Sequence, residues 1–582
     1  MTKMPSEPPR FSRAPRHGLL TCAVVLTLAA CSHTSTEPVS DGGQPQRSDA
    51  TRTRTNAPTR VEEVVIAESA VMMEDASLLR AMPAPAGPHV VTAGLDPRLA
   101  LPHGEDYPEL DPAGVRTVAT DPVSTFSMDV DTAAYSNVRR LLEQGMTPPV
   151  EAVRIEEMVN YFRYDHARPR AGEGFALTTE VAPSPTHADR HLLMVGLSAE
   201  VPEARLDRPR NLVLLVDTSG SMQSPDKLPL LQRAFGLLVD QLDEDDRISL
   251  VAYAGRAGVV LEPTPGNERT RILGALERLA AGGSTHGSAG ISTAYALARE
   301  HFDADGVNRV ILATDGDFNV GVSDPDDLVD LIDRQRHSGI GLTVLGFGSG
   351  NYDDATAQAL AQHGDGIAAY IDGLAGARRV LVDQLDAQLH TVARDARIQV
   401  EFNPARVAEY RLLGYETRAM AREDFEDDAV DAGDIGAGHQ VTALYEIALV
   451  GSGGERVRPL RYAQDEARPT DLGDELAHVR VRWLAPRDDA DATGGRIERP
   501  VLASRVQTDL ADASADLRFA AAVAGLGELL RGGRHAGDLD YETVTRLARE
   551  ARGEDPRGDR GAFLGLVRLA ETVAPARVAG RP

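Results

Sequence analysis

Short apolar segments alternate with amphipathic helical segments between residues 211 and 389, and this alternation constrains the fold more than any other feature of the sequence. Short apolar runs are typical of strands buried on both faces, whereas apolar positions three and four residues apart indicate helices. The predicted strands are 212–216, 248–253, 310–313, 342–347 and 368–371, and the predicted helices are 228–242, 270–279, 289–301, 325–336, 354–362 and 377–389. The pattern predicts a doubly wound α/β domain with a mostly parallel sheet, and ligands are expected at the carboxyl ends of its strands.

Strand-like sequence lies on both sides of this domain. The predicted strands are 175–181 and 191–197 before it, and 398–402, 410–415, 441–450, 478–484 and 496–501 after it. We favour an arrangement in which both sets pair into one sandwich and the α/β domain is an insertion, although a separate C-terminal β domain fits the sequence nearly as well. Helical segments at 516–530, 541–551 and 563–573 are expected to form a small closing bundle.

The chain has 582 residues, of which 42% are apolar, and it can therefore bury several cores. A long stretch rich in Pro, Ser, Thr, Gly and Ala precedes the first predicted element and is expected to be a disordered tether. The predicted organisation is a signal peptide at 1–30, the tether at 31–120, an N-terminal flanking region of helices and β-strands at 121–205, the α/β domain at 206–390, a β-rich flanking domain at 391–506 and a C-terminal helical region at 507–582.

The N-terminus predicts export and attachment to a membrane. Basic residues precede an apolar run over 19–30, which is too short for a stable membrane span, so we expect a secretory signal and a mature protein that crosses no membrane. The ending Leu28-Ala29-Ala30-Cys31 resembles the bacterial lipobox, which implies acylation of Cys31. Cys22 would leave with the signal, so Cys31 has no disulfide partner. By resemblance to the sorting rules of bacterial lipoproteins, Ser32 favours the outer membrane. The alternative to a lipobox is an ordinary signal peptide that contains a cysteine by chance.

The net charge of -27 argues against nucleic acid as a partner, because no basic stretch is present to displace counterions from phosphates. Arginine supplies almost all the basic residues, and lysine occurs only at Lys3 and Lys227. We interpret this bias as compositional drift without functional weight.

Three polar loops stand at the ends of elements in the α/β domain. Asp217-Thr218-Ser219-Gly220-Ser221 follows the first strand, Gly282-Gly283-Ser284-Thr285-His286-Gly287 lies between two helices, and Ala313-Thr314-Asp315-Gly316-Asp317 follows the third strand. The first loop delivers a carboxylate and two hydroxyls on a turn that Gly220 permits. Such hard oxygen ligands suit Mg²⁺, Mn²⁺ or Ca²⁺ rather than zinc.

Together the three loops resemble the metal-ion-dependent adhesion site (MIDAS) of von Willebrand factor A (VWA) domains. By position, the resemblance implies five ligands, which are Asp217, Ser219, Ser221, Thr285 and Asp315. It implies a divalent ion, Mg²⁺ in the first place, with one coordination position left for a carboxylate of a protein partner. The expected role is metal-dependent protein binding or assembly rather than catalysis. The plain alternative is that Asp217 and Asp315 only cap a turn and a helix.

The resemblance extends into both flanks. Ser127-Met128-Asp129-Val130-Asp131-Thr132-Ala133-Ala134-Tyr135-Ser136-Asn137-Val138-Arg139-Arg140 is similar to the segment that precedes the VWA domain in one group of bacterial VWA proteins. Leu517-Arg518-Phe519-Ala520-Ala521-Ala522-Val523-Ala524 is similar to the segment that closes their C-terminus. The match covers residues 121 to about 571 and implies a bacterial VWA lipoprotein.

Two other motifs suggest different chemistry. Asp129-Val130-Asp131-Thr132 resembles the start of haloacid-dehalogenase-type phosphatases, which implies a phosphate-ester hydrolase with Asp129 as nucleophile and Asp131 as general acid. That fold needs a βαβ core directly after the motif, whereas helical and then antiparallel sequence follows. Gly346-Phe347-Gly348-Ser349-Gly350 begins a dinucleotide-binding fingerprint, but Asn351 stands where the third glycine of that fingerprint is required. We therefore interpret the segment as a strand-to-helix turn beside the metal site.

Overall fold

A computed structural model of the protein describes residues 104–110, 114–128, 130–202, 207–283, 287–316, 325–336, 338–457, 473–486 and 494–574. The predicted signal peptide, Cys31 and most of the predicted tether lie outside these residues. Within them, no helix combines the length and the apolar character that a membrane span requires.

The described residues form both β-strands and α-helices. The strands are β1 (Arg116–Thr117), β2 (Val123–Ser127), β3 (Phe175–Pro183), β4 (His191–Ala199), β5 (Arg210–Asp217), β6 (Arg247–Tyr253), β7 (Ala257–Pro265), β8 (Val307–Thr314), β9 (Gly341–Phe347), β10 (Ala368–Ile371), β11 (Thr391–Phe402), β12 (Val407–Leu413), β13 (Ala419–Met420), β14 (Gly433–Gly436), β15 (Gln440–Leu449), β16 (Glu475–Leu484) and β17 (Gly495–Leu502). The helices are α1 (Ala133–Glu143), α2 (Ile155–Asn160), α3 (Leu228–Val239), α4 (Arg269–Glu277), α5 (Gly287–Glu300), α6 (Pro325–Arg336), α7 (Asp354–His363), α8 (Leu374–Arg378), α9 (Leu385–Leu389), α10 (Ala515–Leu530), α11 (Tyr541–Glu550) and α12 (Asp559–Val573).

The α/β domain is built on a six-stranded sheet of order β10-β9-β8-β5-β6-β7. Neighbouring strands run parallel except at the edge, where β7 is antiparallel to β6. Strand β5 is central and buried on both faces: Leu212, Leu214 and Val216 belong to one apolar core, whereas Val213 and Leu215 belong to the other. Helices cover both faces, so the predicted doubly wound α/β fold is confirmed.

The flanking β-strands form two antiparallel sheets, of order β1-β12-β15-β4-β3 and β13-β2-β11-β16-β17. Strand β4 pairs with β15 and strand β2 pairs with β11, so strands from before and after the α/β domain share each sheet. Apolar residues of both sheets, including Val195 and Val479, meet in one core. The α/β domain is therefore inserted into a sandwich, the arrangement that we favoured over a separate C-terminal β domain.

The closing helices pack against the helices that precede the α/β domain. Phe162 contacts Phe519 and Phe563 edge to face, with ring centroids 4.9 Å and 5.7 Å away. The same core contains Ile155 and Met158 of α2 together with residues of α10, α11 and α12. The C-terminal helical region is thus joined to the N-terminal flank by apolar packing.

Two elements of the α/β domain differ from the sequence prediction. The helix predicted at 377–389 is broken into α8, a π-helical turn at Arg379–Asp383, and α9. Strand β7 was not predicted, because it lies at the sheet edge with Val259 and Val260 exposed and therefore lacks a buried apolar run.

Ordered structure also begins earlier than predicted. Residues 104–110 and 114–120 were assigned to the tether, yet β1 pairs with β12 and Asp106 forms a bridge with Asp353. This part of the assignment was wrong because the contacts that order the segment come from residues far away in the sequence.

Three aspartates lie close together where α7 of the α/β domain meets the strands of the flank. The backbone N–H of Asp395 donates to Oδ1 of Asp434 at 3.3 Å. Burial, and then the negative charges of Asp365 and Asp395, raises the pKa of Asp434 to about 8. The folded chain therefore holds this proton more tightly than the unfolded chain, whose aspartates have a pKa of about 4.

We expect Asp434→Asn to stabilise the protein at pH 9 and to have little effect at pH 4. Stability falls as the pH rises from about 4 to about 8, because the wild-type chain must ionise a half-buried carboxyl that lies beside two others. The gain should be at least about 1.4 kcal/mol, the equivalent of one pKa unit. Urea unfolding at both pH values measures it, with Asp245→Asn on an exposed turn as the control. An equal effect of Asp434→Asn at pH 4 and pH 9 would contradict this explanation.

Candidate metal site

The candidate site lies where the central strands of the parallel sheet end. Strand β5 ends at Asp217, strand β6 ends beside it at Tyr253, and Asp315 directly follows β8. The register pairs Val216 with Ala313 and Asp217 with Tyr253, so both aspartates reach the same edge of the sheet. This edge is the position at which doubly wound sheets bind ligands.

The first loop is folded around the carboxylate of Asp217. This side chain is fully buried, and its Oδ1 accepts the backbone N–H of Ser219 at 2.7 Å. The hydroxyls of Ser219 and Ser221 lie 2.8 Å apart, with Ser219 buried and Ser221 exposed. The loop therefore places two hydroxyl oxygens, one on a buried serine and one on an exposed serine, directly after a buried carboxylate.

The glycine-rich second loop contacts the first. Gly220 donates its backbone N–H to the carbonyl of Gly283 at 3.1 Å, and Gly282 donates to the carbonyl of Thr218 at 2.8 Å. The predicted ligand Thr285 follows this contact in the sequence but lies outside the described residues.

The phenol of Tyr253 is affected by the charges of both Asp217 and Asp315. Its ring is fully buried, and burial raises the pKa of Tyr253 well above its ordinary value. The negative charges of Asp217 and Asp315 both act in the same direction. The phenol therefore lies within electrostatic range of both carboxylates, which are the two acidic residues of the predicted ligand set.

Lys227 is a residue of the site that the sequence analysis missed. Its Nζ donates to Oδ2 of Asp315 at 2.9 Å and to Oδ1 of Asn351 at 2.7 Å. The scarcity of lysine was interpreted as drift without functional weight, yet the structure places Lys227 in contact with a predicted metal ligand. The only signal available was that an arginine-rich chain keeps its sole lysine beyond residue 3 just after the first loop.

The loop after β9 closes the site on the side of Asp315. Gly316 has φ +95, and a Cβ on it would lie 2.3 Å from the backbone nitrogen of Asp353, so only glycine fits there. The N-terminal segment holds this loop in turn, because Glu105 accepts the N–H of Gly350 at 2.9 Å and Asp106 donates to the carbonyl of Tyr352 at 3.1 Å.

The structure thus brings together four of the five predicted ligands, Asp217, Ser219, Ser221 and Asp315. Their donors are carboxylate and hydroxyl oxygens, the chemistry that Mg²⁺, Mn²⁺ and Ca²⁺ prefer. In the described part of the chain, no cluster of three or more His, Cys, Asp or Glu side chains is arranged to hold a metal ion. A site here would rely on two carboxylates and on hydroxyls, so the residues fit a hard divalent ion and do not fit zinc.

The structure does not place the phosphatase-like motif in a parallel βαβ core. Strand β2, which leads into it, runs antiparallel to both of its neighbours, β11 and β13. Asp129 lies outside the described residues. Asp131 accepts from Arg418 Nη2 and from the backbone N–H of Ala368, each at 3.0 Å, so its carboxylate joins the flank to the α/β domain.

Three family profiles match the chain. The von Willebrand factor type A domain matches residues 211–375, the profile described as von Willebrand factor matches 102–194, and the C-terminal profile of the uncharacterized protein YfbK matches 387–573. The chain is also 41% identical to the uncharacterized protein YfbK of Escherichia coli (strain K12) over 483 residues, which are 82% of each chain.

The chain belongs to the YfbK family.

Further similarities cover smaller shares of the chain or have lower sequence identity. The uncharacterized protein sll0103 of Synechocystis is 31% identical over 191 residues, which are 33% of this chain and 44% of that protein. Among solved structures, a von Willebrand factor type A protein from Catenulispora acidiphila aligns over 70% of this chain and 91% of its own, with 16% identity and a TM-score of 0.39. BatB from Bacteroides thetaiotaomicron aligns over 30% of this chain and 97% of its own, with 20% identity and a TM-score of 0.27.

Membership of the YfbK family confirms that the chain is a bacterial VWA protein. The VWA profile covers the α/β domain from β5 to the start of α8, and the profiles on either side match both flanks. The predicted similarity of 127–140 and 517–524 to the flanks of one group of VWA proteins is therefore confirmed.

Proposed function

We propose that this YfbK-family protein is a cell-envelope lipoprotein whose VWA domain binds a divalent metal ion, Mg²⁺ in the first place, and uses it to bind a protein partner. The observation that carries the proposal is the convergence of Asp217, Ser219, Ser221 and Asp315 at one edge of the parallel sheet. Thr285 is proposed as the fifth ligand because the glycine loop that precedes it contacts the first loop.

The burial of these residues supports a binding role. Asp217 and Asp315 are fully buried, whereas Ser221 is exposed. An ion held by these residues would be approached from the side of Ser221, where an external oxygen would complete its coordination. A carboxylate is the ligand that a divalent ion would take there most readily, so the proposed partner presents an Asp or Glu side chain.

Binding of the partner protein should require the divalent metal ion. Full-length protein immobilised on beads is mixed with an envelope extract in buffer with Mg²⁺ and, in parallel, with EDTA. We expect at least one protein to be retained with Mg²⁺ and lost with EDTA, and to be released from the beads by free glutamate. Retention of the same proteins in both buffers would rule out metal-dependent binding.

The lipid anchor is proposed on sequence grounds, since Leu28-Ala29-Ala30-Cys31 has the pattern of a lipobox. Acyl chains on Cys31 would hold the protein to the envelope, because each methylene buried in the membrane contributes about 0.8 kcal/mol. The serine at position 32 favours the outer membrane. We expect wild-type protein in the membrane fraction with incorporated radiolabelled palmitate, and Cys31→Ser without label. Equal labelling of the two proteins would disprove acylation at this position.

A further inference from the structure

We propose that Lys227 determines which ligand the metal site accepts, because its ammonium offsets the charge of Asp315 and leaves a bound divalent ion with an excess of positive charge for an anionic ligand. This inference rests on the proposed metal site and adds a specificity residue to it.

The position of the ammonium group is fixed from several sides. Nζ of Lys227 lies 2.9 Å from Oδ2 of Asp315 and 2.7 Å from Oδ1 of Asn351, so it joins two of the loops that follow parallel strands. Lys227 is only 6% exposed and Asp315 is fully buried. The charge pair is therefore shielded from solvent. An electrostatic interaction is stronger in such a buried environment than at a surface.

The aliphatic part of Lys227 lies against glycine backbone. Gly348 has φ +77, and a Cβ on it would lie 2.2 Å from Cγ of Lys227. The hydroxyl of Tyr370 donates to the carbonyl of Gly348 and holds this backbone in place. The turn at 346–350, which the sequence analysis singled out, thus leaves room at Gly348 for the aliphatic part of Lys227.

The charge balance gives the preference. Among the described ligands, Asp217 and Asp315 supply two negative charges, which alone would neutralise a divalent ion. With Lys227 beside Asp315, the divalent ion, the two carboxylates and the ammonium together carry a net positive charge. A carboxylate ligand should then bind more tightly than a neutral oxygen ligand. The same ammonium repels the metal, so Lys227 should weaken metal binding while it strengthens binding of the anion.

The test uses full-length protein with Mn²⁺ as the probe ion and water-proton relaxation as the readout. Acetate and the neutral acetamide are titrated onto the Mn²⁺-loaded protein, and displacement of metal-bound water reports their binding. We expect the wild type to bind acetate at least about tenfold more tightly than acetamide. In Lys227→Met this preference should fall by about tenfold, and Mn²⁺ should bind about tenfold more tightly, as expected for removal of one nearby unit charge.

Lys227→Arg is the matched control, because it keeps the positive charge and a similar stem, and it should retain the preference for acetate. If Lys227 serves only stability, Lys227→Met and Lys227→Arg will both lower the melting temperature while the ratio of acetate to acetamide affinity stays at the wild-type value, and the inference is overturned.

The outcomes separate this inference from the proposed function. Absence of saturable Mn²⁺ binding to the wild type would overturn both. Mn²⁺ binding with equal affinity for acetate and acetamide would leave the metal site standing and overturn the role of Lys227. If Lys227→Met does not fold, Lys227→Gln offers a second neutral variant for the same comparison with the wild type.

Discussion

Asp217→Ala is expected to abolish divalent-metal binding and, with it, metal-dependent binding of the partner. Asp217 is the buried carboxylate around which the first loop is folded, and its Oδ1 also orients Ser219. Loss of a group that only orients a metal ligand commonly costs 10- to 100-fold in affinity, so loss of a carboxylate ligand should cost more than about 100-fold. Isothermal titration of the full-length protein with Mg²⁺ and with Mn²⁺ measures the change.

Asp245→Ala is the matched control for this variant. Asp245 is an exposed carboxylate of the same domain, but it lies just before β6 and therefore at the opposite end of the sheet. The control should bind metal and retain the partner as the wild type does. If Asp217→Ala still binds Mg²⁺ with wild-type affinity while remaining folded, the ion does not sit at this strand edge and the proposed site is wrong.

Arg154→Ala is expected to destabilise the protein by about 3–5 kcal/mol, the usual cost of removing one partner from a buried ion pair. Arg154 is fully buried, and its Nη2 lies 2.6 Å from Oδ2 of Asp354 at the start of α7. It also pairs with Glu157, which accepts the backbone N–H of Ala134 at 2.8 Å. Without the guanidinium, two buried carboxylates would lie together uncompensated, at the contact between the N-terminal flank and the VWA domain.

Urea unfolding at pH 7 measures this loss, and Arg170→Ala provides the control. Arg170 also pairs with a glutamate three residues later, but its side chain is 90% exposed, and such surface pairs add little to stability. We expect the control to unfold close to the wild type. A similar small effect for both variants would mean that the buried pair does not hold the flank to the VWA domain.

Three sets of contacts connect the VWA domain to the rest of the chain. The ion pair of Arg154 with Asp354 and the contact of Glu105 with Gly350 both join segments that precede the VWA domain to segments next to the candidate site. Asp131 with Arg418 and Ala368 adds a third connection. An excised VWA domain would lose all three, so metal and ligand binding are best measured on the full chain.

The sequence by itself predicts the VWA domain and most of its candidate site. The apolar runs that become β5 and β8 are encoded locally, because a strand buried on both faces needs several consecutive apolar residues. The loops that start at Asp217 and Asp315 follow these runs directly, and parallel strands bring their carboxyl ends to one edge whatever the rest of the chain does.

Only the tertiary structure decides which distant segments meet. Strand β2 pairs with β11, the break in the last VWA helix falls at Arg379–Asp383, and residues 104–110 are ordered by the loop after β9. None of these follows from local periodicity, because each depends on the packing of segments far apart in the chain.

Lys227 shows the same division at the level of one side chain. It lies 88 residues from Asp315 and 124 from Asn351 in the sequence, and its significance arises only when three loops converge on its ammonium group. A local pattern encodes backbone conformation and burial, whereas the partner of a buried charge is fixed by the three-dimensional arrangement of the whole domain.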